Sequence, residues 1–170
     1  MKILSSKYIV MLFAVVLISV SATAQSKIAY VDSDEVIMAM PQFKKAQVTI
    51  EAFGKELAKV LDAKKAKLNS YYQGVADKVN KGQMSQLQQQ TEDATIKKMQ
   101  KDLQADAQKS DSDLSNKERE LMKPIYEALN NALDKVSTAN GYSYILEKKT
   151  ILNFKNGIDA TKKVKTALGL

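Results

Sequence analysis

From Phe43 onward, apolar side chains recur at alternating steps of three and four: Phe43, Ala46, Ile50, Phe53, Leu57 and Val60. Leu61, Leu68, Tyr71, Val75 and Val79 carry the stripe on with some slippage. This is the seam spacing of a coiled coil, in which about 3.5 residues per turn keep one helix edge facing a partner. Val79-Asn80-Lys81-Gly82-Gln83 supplies the one turn signal of the stretch. Beyond it, Met84, Leu87, Thr91, Ala94, Met99, Leu103, Ala107, Ser110, Leu114 and Leu121 make a weaker stripe of the same period. The pattern predicts an antiparallel helical hairpin over residues 42–121. Each arm has roughly 40 residues and a length of ~60 Å at ~1.5 Å per residue. Such a pair has no globular interior and must be held by whatever lies at its base.

The flanking segments supply that base, with residues 25–41 on one side and 122–170 on the other. Lys27 to Asp32 is apolar on both faces, as a buried strand is. Ser33 is placed to cap a short helix from Asp34 to about Ala39, and Pro41 ends it and opens the long helix. Pro124 predicts a kink in the helix that runs from Glu118 to about Asn140. After it, Ile125, Leu129, Ala132, Leu133, Val136 and Ala139 form a strongly apolar face, and Asn140-Gly141 stops the helix. Tyr142 to Glu147 and Thr150 to Phe154 read as two strands around a Lys148-Lys149 turn. Asn156-Gly157 turns again, and Asp159 or Thr161 caps a last helix to about Leu168. The fold class is therefore α+β, a long coiled-coil hairpin on a small β-strand base. Three short strands are marginal alone, so Ile28, Tyr30, Ile145, Ile151 and Phe154 are the candidate oligomer interface, where copies join their sheets.

Residues 1–24 read as a cleaved signal peptide. Lys2 and Lys7 precede an uncharged apolar run from Ile9 to Val20, and Ser21-Ala22-Thr23-Ala24 offers small residues for cleavage before Gln25. Their removal takes two charges from the formal +7 and leaves +5, a modest excess that favours acidic partners or anionic lipid surfaces. The chain has no Cys, His or Trp. Thiol and imidazole catalysis are thereby excluded, and the Asp32/Asp34/Glu35 and Asp111/Asp113 clusters read as a helix cap and a solvated helix face. Neither a calcium loop nor a phosphate-binding glycine loop is present. No enzyme, metal site or cofactor is expected. Few displayed aromatics and a small net charge argue against nucleic acid.

The arm carries the candidate contacts. Lys64 interrupts the seam, and Tyr71, Tyr72, Val75, Lys78, Val79, Met84 and Leu87 gather toward the turn. Adjacent tyrosines lie ~100° apart around a helix, so Tyr71 and Tyr72 cannot both face the seam. Displayed Tyr and Met make weak, adaptable contacts that suit many sequences. The lysines from Lys55 to Lys101 form either an ordinary solvated surface or a mildly positive one that attracts acidic clients. Gly54 and Gly74 each cost ~1 kcal/mol relative to Ala in a helix interior. They serve either close packing or bending, and with Pro124 they are the hinge candidates.

The ordered set of features resembles the Skp/OmpH family of periplasmic chaperones. It comprises a signal peptide, a strand beginning Lys27-Ile-Ala-Tyr-Val-Asp32, a proline before a long charged helix, a helical hairpin, and Lys123-Pro124-Ile125. Gly141 to Glu147, Ile151-Leu-Asn-Phe154 and Ile158-Asp159-Ala-Thr161 are similar to the family's closing strands and helix. The resemblance implies a homotrimer whose terminal strands form a central barrel and whose hairpins hang around a cavity. It implies an ATP-independent holdase for unfolded outer-membrane proteins in the periplasm. Some members are described as binding lipopolysaccharide, which makes anionic envelope lipids a further candidate partner. The rival reading is a structural coiled-coil adaptor of the envelope that binds one folded partner.

Overall fold

The computed structural model describes residues 26–153 and 155–170. The signal-peptide reading of residues 1–24 and the interface candidate Phe154 fall outside them. The chain runs β1 (Lys27–Val31), α1 (Ser33–Ala39), α2 (Pro41–Asn80), α3 (Gln86–Asn140), β2 (Tyr142–Glu147), β3 (Ile158–Asp159) and α4 (Thr161–Ala167). It is mostly helical, with two long helices and a small sheet.

Local chemistry sets the boundaries. Asp32, rather than Ser33, caps α1, its carboxylate accepting from the Glu35 N–H at 3.0 Å. Met40 is extended, as a residue before proline tends to be, and Pro41 opens α2 where its missing N–H costs nothing. At the far end Gly82 takes φ +66°, a conformation cheap only for glycine. Ser85 then opens α3 with a capping box: its Oγ accepts from the Gln88 N–H at 3.3 Å, and its own N–H donates to Gln88 Oε1 at 2.8 Å. Met84 therefore lies in the turn. The helix α3 continues through Pro124 for 55 residues, about 80 Å, and stops at Gly141 with φ +66°.

The two long helices touch along their length. Tyr71 meets Glu92, Lys64 meets Asp106, and Gly54 faces Leu114, so partner numbers rise on α3 as they fall on α2. The seam departs from the simple stripe in several places. Val60 points to solvent at 49% exposure while Leu61 is half-buried, and Ile96 is buried where Thr91 and Ala94 are exposed. Val79 and Leu87 near the turn are exposed as well.

The sheet has the order β2-β1-β3, with both pairings parallel. Its inner face, Ala29 and Val31, packs with Val36, Ile37 and Met40 against Ile125, Leu129, Ala132 and Val136 of α3 and Val164 of α4. The connected core therefore sits at the base, with Ile96 buried apart from it on α3. The described part of the expected second strand, Thr150 to Asn153, does not supply the third strand. Lys148–Thr150 is a single 3-10 turn, the described residues 151–153 are irregular, and Ile158–Asp159 pairs with β1 instead. A strand directly after a two-residue turn could only run antiparallel to β2. Lys148 and Lys149 instead pair with Asp32 and Asp34 beyond the end of β1, which carries the chain across to the other edge.

A Cβ on Gly54 would lie 3.8 Å from Leu114 Cδ1, an ordinary contact, and one on Gly74 would meet nothing within 4 Å. Gly54→Ala and Gly74→Ala should therefore each raise stability by ~1 kcal/mol, read as an upward shift in the thermal midpoint. A fall for Gly54→Ala would mean that α3 approaches α2 there too tightly for a methyl group.

Candidate functional site: the arm and the outer face of the sheet

Apart from Ile96, every large buried side chain among the described residues belongs to the base, so candidate contacts must lie on surfaces. On α2, Tyr71 turns into the seam and its hydroxyl donates to the Glu92 carboxylate. That bond and the neighbouring negative charge push the Tyr71 hydroxyl above its ordinary value of 10.0. Tyr72, one step round the helix, is 59% exposed. Val75 is half-buried in the seam, while Val79 is exposed. Lys78, Met84 and Leu87 come together across the turn and line a groove of ≈ 460 Å³ with Gln83, Gln88 and Thr91. Leu87 is 73% exposed there. Lys64 lies apart from this group, paired with Asp106. Nearer the base, Val48 stands 69% exposed, a displayed residue that the seam pattern had no means of flagging.

The sheet presents a second surface. Side chains alternate between faces along a strand, and paired residues of parallel strands share a face. Register places Ile28 beside Tyr144 and Tyr30 beside Leu146, on the side away from the helices. Ile28, Tyr144 and Leu146 are exposed and Tyr30 is half-buried. Ile145 lies on the inner face with Ala29 and packs against the core of its own chain. Ile151 is half-buried in the connection after β2. Tyr144 and Leu146 were readable from the alternation about Ile145, once the inner face was known.

Three ion pairs clamp the C-terminal segment to the β1–α1 junction: Lys148 to Asp32 at 3.2 Å, Lys149 to Asp34, and Lys165 to Glu35 at 2.6 Å. The Asp32 N–H also donates to Thr161 Oγ1 at 3.0 Å. The Glu35 N–H, with Lys148 behind it, holds the Asp32 carboxyl below its ordinary value of 3.8. Lys148 and Lys149 are pushed above 10.5 by their bonds to Asp32 and Asp34. Among the described residues, no group of three or more acidic side chains could hold a metal ion, and no helix is long and apolar enough to cross a membrane.

The model of a family described as outer membrane protein (OmpH-like) matches residues 27–168. A solved structure from Caulobacter crescentus CB15, described as a candidate outer membrane chaperone (OmpH-like), superposes with a TM-score of 0.71. It is 17% identical and the match covers 85% of each chain, a likeness that speaks for the fold alone. No curated protein matches the chain.

The clamp predicts a pH dependence. A depressed carboxyl contributes stability that is present above 3.8 and lost as pH falls through the folded value, because the unfolded chain then binds more protons. The raised lysines contribute stability present below 10.5 and lost as pH rises past it. Asp32→Asn should lower the thermal midpoint at neutral pH and flatten its decline below about pH 4. Parallel declines for both proteins in acid would assign the acid sensitivity to other groups.

Proposed function

The chain belongs to the OmpH-like family of outer membrane proteins, and on that premise we propose that it is a periplasmic, ATP-independent holdase chaperone. It encloses unfolded outer-membrane proteins between helical arms and prevents their aggregation. Residues 1–24 are the signal peptide that exports it, residues 25–41 and 122–170 build the base, and residues 42–121 form an antiparallel hairpin arm.

The observation that carries this reading is the arm's division of labour. Its seam is thin, and it leaves Val48, Val60, Tyr72, Val79 and Leu87 displayed along a projection tens of ångströms long. Scattered apolar and amphipathic groups of this kind hold no folded partner tightly. They hold an unfolded chain by many weak contacts, each intramolecular once the first has formed. Tyr71 and Val75 support the tip from inside the seam, while Tyr72, Lys78, Val79, Met84 and Leu87 meet the client. Lys64, Lys78 and their neighbours attract acidic clients and anionic envelope lipids.

The outer sheet face supports assembly. Ile28, Tyr30, Tyr144 and Leu146 form an apolar surface on a three-stranded sheet, and three copies sharing it place their arms around one cavity. Chemistry on a bound client has no place in this reading, which makes the protein a binder and not an enzyme.

Two experiments test the reading. Dilution of a urea-unfolded outer-membrane β-barrel protein into buffer without nucleotide should give strong light scattering alone and little with this protein. Replacing Gly74 to Thr91 with a short Gly-Ser turn should leave the base assembled and weaken holding of large clients. No protection by the intact protein, or full protection by the shortened one, would sink the proposal. Separately, Tyr144→Asp combined with Leu146→Asp should dissociate the assembly while leaving the helical signal intact, since both side chains are exposed within one chain. An unchanged mass in solution would move the interface elsewhere.

A further inference from the structure

The Lys64–Asp106 pair stands out from the other ion pairs of the long helices. Lys55–Glu51, Lys65–Asp62, Lys109–Asp113, Lys117–Glu120 and Lys123–Glu127 each lie within one helix. Lys64–Asp106 is the one ion pair, among the described residues, that joins α2 to α3, the Tyr71–Glu92 link being a hydrogen bond from a neutral hydroxyl. It occupies a seam position where the period calls for an apolar residue, and its side chains remain 47% and 34% exposed.

The packing on either side differs from the packing at the pair. Toward the turn, half-buried Leu68, Tyr71, Val75 and Met99 surround the level of Ile96, the one buried side chain of the outer arm. Toward the base, Phe53, Leu57 and Leu61 are half-buried, and Leu114 faces Gly54. At the pair itself the next seam residues of α3 are Ala107 and Ser110, both small. A groove of ≈ 440 Å³ opens beside it, with Leu68, Met99 and Leu103 among its lining. Lys67 and Asp102 are the other charged groups that face this groove.

We propose that the arm opens at Lys64–Asp106, a salt-sensitive joint between a distal segment packed about Ile96 and a proximal segment packed about Leu57 and Leu114. A half-exposed ion pair contributes little to stability and is screened by salt, whereas apolar seam contacts contribute more and are not. Local opening is therefore cheapest here, and water already reaches both helices through the groove. The joint is placed at this pair rather than at Gly54 or Gly74, which both lie inside continuous helix, where a Cβ on the first would make an ordinary contact with Leu114 and one on the second would meet nothing within 4 Å. Use of the joint to fit clients of different size rests on the holdase reading; the joint itself does not.

The test is amide hydrogen exchange on the intact protein at about 0.05 M and about 0.5 M salt. Amides of residues 62–68 and 103–109 should exchange faster than those on either side, and salt should quicken them more than their neighbours. Lys64→Leu combined with Asp106→Leu should slow these amides at least about fivefold and remove their salt response, leaving the flanking segments unchanged. Lys64→Asp combined with Asp106→Lys, which restores the pair in reverse, should keep the parent behaviour. Uniform protection along residues 50–114 of the parent protein, or an unaltered rate in the Leu pair, would overturn the joint. The salt series on the parent decides the matter even if the Leu pair misfolds. Aggregation suppression measured alongside keeps the two ideas separate: failure to protect a client with the joint present counts against the holdase reading alone.

Discussion

Everything in this chain depends on the parallel pairing of β1 with β2. A parallel pair needs a crossover, and here the crossover is the whole stretch from α1 through α3. Bringing Val31 beside Glu147 closes a loop of more than a hundred residues, an entropic cost on the order of 4 kcal/mol. The cost is met locally. Ala29 and Val31 enter the core with Ile125, Leu129 and Val136, and Asp32, Asp34 and Glu35 take Lys148, Lys149 and Lys165 as partners. The same contacts that bind the chain's two ends therefore hold the root of the arm.

Once the base has used the large apolar residues, the arm must stand on a narrow seam. Between Ala46 near its root and Ile96 toward the turn, no side chain of the arm among the described residues is buried. Polar links fill the gaps, Lys64 with Asp106 and Tyr71 with Glu92. A helix pair built in this way is sustained by helix propensity, capping at Ser85 and many half-burials rather than by a core. That economy leaves side chains such as Tyr72 and Leu87 available to a partner. It also makes the arm's local stability uneven along its length.

The outer face of the sheet and the displayed side chains of the arm are two aspects of one shortage. The helices pack on one face of the three-stranded sheet and leave the other without a covering layer among the described residues. Ile28, Tyr144 and Leu146 stand exposed on the uncovered face. Under the proposed holdase function, self-association belongs to the outer sheet face and client contact to the arm, so the two are separable by substitution.

What the sequence determined by itself was the local architecture. The three-four period of Phe43, Ala46, Ile50, Phe53 and Leu57, the Gly82 turn, Pro41 as a helix opener and Gly141 as a stop all act within a few residues, so they survive any tertiary context. The alternation of Tyr142 to Glu147 likewise made β2 a strand. Tertiary structure decided the rest. Thr150 to Phe154 has strand-forming residues, yet the free edge of β1 lay on the far side of the sheet, and two-residue Ile158–Asp159 took it. Ile145 turned inward and Tyr144 and Leu146 outward because the helices cover only one face. In the arm, the choice of Leu61 over Val60, and of Ile96 over Ala94, depended on the facing helix. A seam's phase drifts when a helix near 3.6 residues per turn meets a 3.5-residue pattern, and only the partner's surface says which neighbour falls inside.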